Sequence, residues 1–158
     1  MNAPEKNMLL PDVQSSAETR GLEIGAVGIQ GLRYPVKVRS RDRVADTVAQ
    51  WAMTVALPAE VKGTHMSRFV ELLQAQSGAL DAAGFCGLLR EMLSRLNAQS
   101  GVIEMRFPWF VEKTAPVSCV RSLLDHDVQW RASVSAEGLY ALWLKVVVPV
   151  TSLCPCSR

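Results

Sequence analysis

The chain predicts an α+β domain in which two helices pack on one face of a largely antiparallel sheet, and three observations carry that prediction. Apolar residues alternate with period two before Pro58 and again after Gly101. Between those stretches, two segments place apolar residues at helical spacing. Strands gathered on either side of a helical pair argue against a parallel sheet with crossover helices, which would alternate strand and helix one by one.

Residues 1–30 read as an arm, with Pro4, Pro11, Ser15, Ser16 and four glycines between Gly21 and Gly31 giving turn chemistry without a sustained period. The ordered domain is placed over 31–158, beginning near Arg33. Tyr34 to Arg39 reads as a first strand. In the next, Trp51, Met53, Val55 and Leu57 share a face opposite Gln50, Ala52, Thr54 and Ala56, until Pro58 closes the run. Ser67 is positioned to cap a short helix carrying Phe69, Val70, Leu72 and Leu73. A longer helix opens at Asp81, runs to about Ala98, and aligns Phe85, Leu88, Leu89, Met92, Leu93 and Leu96 opposite Arg90, Glu91 and Arg95.

Period two then returns. Ile103, Met105, Phe107, Trp109 and Val111 share one face, as do Val128, Trp130, Ala132 and Val134. Tyr140 to Val150 forms a last strand with Trp143 and Val147 on its reverse. That strand is apolar on both faces, a pattern that calls for a covering layer or another subunit. Met53, Met66, Met92 and Met105 fall with the tryptophans on core-facing stripes, Cys86 reads as near-core helix packing, and Cys119 reads as a packed strand residue.

Composition narrows the function. At 158 residues with a formal charge of +2 and no dense basic cluster, the chain lacks the signature of bulk nucleic-acid binding. No apolar run reaches membrane-spanning length, so no membrane role is predicted. Four cysteines, Cys86, Cys119, Cys154 and Cys156, show no secreted disulfide framework, and Met1-Asn2-Ala3-Pro4-Glu5-Lys6 does not open a signal peptide, which predicts a reduced, cytoplasmic protein. Walker, dinucleotide-binding, H-E-x-x-H and serine-elbow motifs are missing.

Three constellations could carry chemistry. Cys154-Pro155-Cys156 places two soft thiols after the last strand, suited to a metal ligand or a nucleophile, or else ordinary packed cysteines. The two sulfurs chelate one ion poorly unless the backbone turns, so one of them is the expected ligand. Lys62-Gly63-Thr64-His65-Met66-Ser67-Arg68-Phe69 joins a strand to a helix N-terminus, where amide donors and three basic side chains favour phosphate or a polar heterocycle; the plainer reading is a capped loop. Asp125-His126-Asp127 offers an imidazole between carboxylates, a pattern that can orient a base or ligand but also occurs as a solvated cluster.

Four segments together resemble the prokaryotic type IB GTP cyclohydrolase I family: Pro11-Asp12-Val13-Gln14-Ser15-Ser16, the Leu57 to Phe69 run containing Pro58-Ala59-Glu60-Val61-Lys62-Gly63-Thr64-His65-Met66-Ser67, Lys113-Thr114-Ala115-Pro116-Val117-Ser118, and Pro149-Val150-Thr151-Ser152-Leu153-Cys154-Pro155-Cys156-Ser157. The resemblance runs from about residue 11 to the end of the chain. It implies a tunnelling fold, in which antiparallel sheets backed by paired helices join into a barrel. Two such modules in tandem, a homotetramer and sites at module and subunit interfaces are implied with it. The implied reaction opens the imidazole ring of GTP, releases C8 as formate and recloses the skeleton as 7,8-dihydroneopterin triphosphate, the entry to folate synthesis.

The same resemblance implies a divalent metal, zinc, manganese or iron. Hydrolytic attack at C8 suits a thiolate-anchored site that keeps one coordination position open. Cys154 matches the family's metal-ligand cysteine, with Cys156 beside it. His65 is expected near the pocket with a catalytic role, and Lys62, Arg68 and Lys113 are candidates for holding the triphosphate. The family continues beyond Ser157 with a further histidine ligand and a second module bearing glutamates, so the sequence is expected to represent the N-terminal portion of the enzyme and to be inactive alone. The alternatives are a non-catalytic purine-binding or assembly module and a nitrile-reductase relative of the same fold.

Overall fold

The computed structural model describes residues 21–41 and 43–150. Five strands, β1 (Ile24–Ser40), β2 (Arg43–Leu57), β3 (Gly101–Thr114), β4 (Arg121–Val134) and β5 (Tyr140–Val147), pair in the order β1-β2-β3-β4-β5, each antiparallel to its neighbour. Two helices, α1 (Ser67–Ala75) and α2 (Ala82–Leu96), are inserted between β2 and β3. The α+β expectation, with both helices on one side of an antiparallel sheet, is what the chain forms.

Alternation decides which face is covered. Ala49, Trp51, Met53 and Val55 of β2, Ile103, Met105 and Phe107 of β3, and Val128, Trp130 and Ala132 of β4 are buried against Phe69, Leu72 and Leu73 of α1 and Phe85, Leu88, Leu89 and Met92 of α2. At the centre, Phe85 stands between two indoles. Its ring centroid is 6.3 Å from Trp51 and 5.6 Å from Trp130, the latter edge-on at 76°, and Phe107 meets Trp130 at 5.7 Å and 79°. Such aromatic edges add to the apolar area removed from water.

Local chemistry sets the ends of α2. The Asp81 carboxylate accepts from Gly84 N at 2.8 Å, and Asn97 closes the helix in the left-handed region at φ 51° while Ala98 N donates to Leu93 O at 2.9 Å. Leu80, just before the helix, bridges to Val38 of β1 through Leu80 N to Lys37 O at 2.8 Å and Arg39 N to Leu80 O at 2.7 Å. Part of that outer strand's backbone is thereby satisfied.

Several expectations need correction. β1 begins at Ile24, inside the stretch read as an arm over 1–30, because register shifts near Val27 and at Gly31 interrupt the alternation that would have revealed it. Ser67 is the first residue of α1 rather than its cap; Met66 occupies that position and no side chain caps it. Cys119 lies exposed in the β3–β4 turn at φ 56°, not in a strand. Met66 is 40% exposed and Trp143 is 67% exposed, so neither belongs to the core. β5 ends at Val147 rather than Val150, and each of its residues is exposed. Cys86 is half-buried, in keeping with near-core packing.

Two predictions follow from this packing. Phe85→Ala removes the ring that bridges Trp51 and Trp130 and should cost about 3 to 5 kcal/mol in a denaturant titration. Glycines should respond oppositely by position. A Cβ at Gly28 would stand 1.9 Å from Met53 O, so Gly28→Ala should force β1 from β2 and lower the unfolding midpoint. At Gly87, inside α2, nothing lies within 4 Å, and Gly87→Ala should raise stability by about 0.5 to 1 kcal/mol.

Candidate functional site

The loop between β2 and α1 is where sequence reasoning concentrates basic chemistry. Pro58 follows Leu57 and stops the ladder, and Val61 N turns back to Pro58 O at 3.1 Å. Thr64 is then buried and His65 half-buried, while Lys62 remains exposed. Arg68 N donates to His65 O at 3.2 Å and Phe69 N to Met66 O at 3.3 Å, leading the chain into α1.

Arg68 points away from a purely ligand-directed role. Its Nη1 donates to Arg95 O at 3.0 Å, in the last turn of α2, where backbone carbonyls lack intrahelical partners. Arg95 is itself held by Glu91, one turn earlier, with Nε to Oε1 at 2.9 Å. The guanidinium therefore fastens the start of one helix to the end of the other.

Lys113 is at the opposite end of the sheet. Val55 pairs with Gly101, so the His65 loop adjoins the start of β3, whereas Lys113 pairs with Ser122 near its finish. The 14 residues of β3 make a contour of roughly 45 Å at ~3.3 Å per residue. Beyond Lys113 the hairpin closes through Ala115 N to Val120 O at 2.9 Å and Cys119 N to Ala115 O at 3.0 Å, leaving Val117 94% exposed. β5 runs from Tyr140 beside Val134 to Val147 beside Asp127, so the chain leaves the sheet heading away from the His65 loop. Cys154 and Cys156 lie outside the described residues. One copy of the described chain does not bring Lys113 and His65 together.

The Asp125-His126-Asp127 cluster dissolves on inspection of the strand. Successive side chains point to opposite faces, so His126, paired with Trp109, faces the helix side and its carboxylate neighbours face the other. His126 Nδ1 is buried with no hydrogen-bond partner, at an apolar groove of about 360 Å³ that includes Trp109, Val128, Trp130, Val146 and Val148. Among the described residues, no three His, Cys, Asp or Glu side chains are grouped so as to hold a metal ion. They do not by themselves fit the metal that the cyclohydrolase resemblance implies. The Glu137 carboxyl, in the β4–β5 turn, is held below its ordinary range by the Ser135 hydroxyl and its own backbone amide.

The sheet face away from the helices is the polar feature that sequence reasoning missed. It carries Gln50, Glu104, Arg106, Gln129, Arg131 and Lys145. Glu104 accepts from Arg106 Nε at 2.9 Å and from Arg131 Nη1 at 3.3 Å, and its side chain is only 14% exposed. The signal was present as the polar half of each alternating strand, but its convergence depends on registers across five strands.

A family profile described as type I GTP cyclohydrolase folE2 matches residues 10–158. The chain is 54% identical over 159 aligned positions to GTP cyclohydrolase FolE2 1 of Dechloromonas aromatica, covering 100% of this chain and 59% of that protein. It is 52% identical to GTP cyclohydrolase FolE2 of Paraburkholderia phymatum, with the same coverage, and 50% identical over 155 positions to that of Methylococcus capsulatus, covering 98% of this chain and 58% of the relative. The chain thus spans about three-fifths of the length of the curated relatives it matches. With the profile match reaching from residue 10 through the Cys154-Pro155-Cys156 triplet, the chain belongs to the FolE2 family of type I GTP cyclohydrolases.

Proposed function

We propose that these residues form part of a GTP cyclohydrolase that hydrolyses GTP to formate and 7,8-dihydroneopterin triphosphate, for tetrahydrofolate synthesis. The observation that carries this reading is identity at about half of all positions along the whole chain to proteins named GTP cyclohydrolase FolE2. Family membership favours it over a nitrile reductase.

The residue roles belong to the same proposal. Cys154 supplies a thiolate ligand to a divalent metal, zinc, manganese or iron, and the remaining ligands come from sequence beyond the described residues. His65 acts at the pocket, half-buried beside buried Thr64, where an imidazole can hold or pass a proton to a bound purine. Lys62 and Lys113 bind the triphosphate, both being exposed. Because Lys113 and His65 stand at opposite ends of β3, a site using both must draw them from different copies of the chain. That arrangement accords with a homotetramer. The exposed apolar residues Val117, Val120 and Leu123 near the hairpin tip, with Trp143 and Val147 on β5, suit burial in such an assembly. A cytoplasmic setting completes the reading; among the described residues, no helix is long and apolar enough to cross a membrane.

In a polypeptide that contains these residues and the full length of the relatives, Cys154→Ala should lose bound metal and reduce formate release from GTP by about a hundredfold or more. Full metal content with unchanged turnover would overturn the ligand role, and no formate release from the unsubstituted protein would favour a non-catalytic module. His65→Ala and Lys113→Ala should each be poorly active, yet mixing the two after dissociation should restore formate release, because hybrid assemblies regain intact sites. Arg68→Ala should lower stability by about 1 kcal/mol through the lost bond to Arg95 O, with KM for GTP changing little.

A further inference from the structure

We propose that the sheet face opposite the helices binds condensed phosphate, through a cationic row that crosses all five strands. The registers align one residue from each strand: Arg33 opposite Gln50, Gln50 opposite Arg106, Arg106 opposite Gln129, and Gln129 opposite Lys145. Paired residues project to the same side of a sheet, so the five form a continuous band. Strand spacing of about 4.8 Å sets successive cations roughly 10 Å apart, each separated by an uncharged glutamine able to donate from its amide. That spacing limits repulsion among the cations while letting their fields add over the groove between them.

The charge around this row is only partly offset, with Arg33, Arg106, Arg131 and Lys145 set against Glu104 and Asp127. Glu104 holds both Arg106 and Arg131, which leaves one positive charge over from the three groups. Its double contact to Arg106, through Nε and Nη2 at 2.9 Å each, fixes that guanidinium and leaves Nη1 outside the pairing. Arg33 and Lys145 have no carboxylate partner among the described residues. A groove of about 410 Å³ runs over Gln50, Arg106, Gln129 and Lys145, and it is lined also by the Asp127 carboxylate. Smaller grooves continue it, past Gln30 and Glu104 toward β1 and past Arg131 and Trp143 on the β5 side. A compact, multiply charged anion matches spaced point charges interleaved with amide donors, and a single monovalent anion would engage one cation at a time. The surface is distinct from the His65 loop and does not depend on the cyclohydrolase reading.

The test is isothermal titration, with inorganic triphosphate free of divalent metal at low and high salt, of a polypeptide that contains these residues and the full length of the relatives. Saturable binding should weaken at least tenfold on raising salt from about 50 to 500 mM. Lys145→Gln should weaken it about fivefold, and Arg33→Gln, about 19 Å along the row and outside the lining of the groove, should weaken it less; both remove an exposed charge and neither breaks an ion pair. Asp127→Asn should tighten it. Absence of binding by the unsubstituted chain at low salt would overturn the proposal. So would affinity that is unchanged in Lys145→Gln and Arg33→Gln but lost in Lys62→Gln, because the anion would then sit at the loop before α1. Far-ultraviolet circular dichroism matching the parent confirms that each variant retains the sheet. GTP turnover is not read in this experiment, so failure of the catalytic reading and failure of the anion surface remain separate results.

Discussion

The seating of α2 on the sheet through Phe85 is the contact on which the other elements depend. β2 and β4 are not neighbours in the sheet, yet Trp51 from one and Trp130 from the other converge on this ring. β3 between them contributes Met105 and Phe107 beneath the same helix. The pairing of β2 with β3 spans only Gln50 to Val55, so backbone hydrogen bonds alone give the two hairpins a short seam. The aromatic wedge holds that seam from one side, and α1 extends the hold through Phe69, Leu72 and Leu73. Beyond the seam, Thr47 Oγ1 still reaches Pro108 O at 3.3 Å and Arg43 lies over the Trp109 ring at 5.4 Å, so side chains continue the association where the ladder stops.

Much of this was legible in the sequence because periodicity reports directly on burial. The odd-numbered apolar residues of β2 and β3, the even-numbered ones of β4 and the stripe of α2 each follow a single repeat, and they are buried as read except at the ends, where Leu96, Trp109 and Val111 are half-buried. What escaped was information not held in one segment. β1 was cut short since irregularities near Val27 and Gly31 shift the side-chain phase midway. Cys119 was misread because a left-handed turn at the hairpin tip leaves little trace beyond Pro116 and Ser118. The His126 cluster looked plausible as a string of letters, and strand geometry alone separates its members.

Site residues were legible in a different way. Lys62, His65 and Arg68 lie in one short loop, where Arg68 N meets His65 O, but the Arg68 side chain is drawn into holding the helices together, a contact 27 residues distant that no local pattern encodes. Lys113 shares a motif with the family and stands a full strand away from His65. The cation row required four pairwise registers to become visible, since its members are spread from Arg33 to Lys145 without any local enrichment of charge.

The strand order has a kinetic meaning. Since every strand pairs with the strand next in sequence, the sheet is a meander whose only long closure is the one that loops out α1 and α2 between β2 and β3. Contacts of this kind carry low loop-closure entropy, so structure can be added in the order in which a ribosome releases the chain. The first hairpin and the helices can pair and dock before the later strands have emerged, and β4 and β5 then add outward from β3. Of the five described strands, β5 is released last, and each of its residues is exposed. A nascent molecule therefore stays sticky along one growing margin until a further strand or another copy arrives to cover it, which couples the quality of assembly to the pace of synthesis.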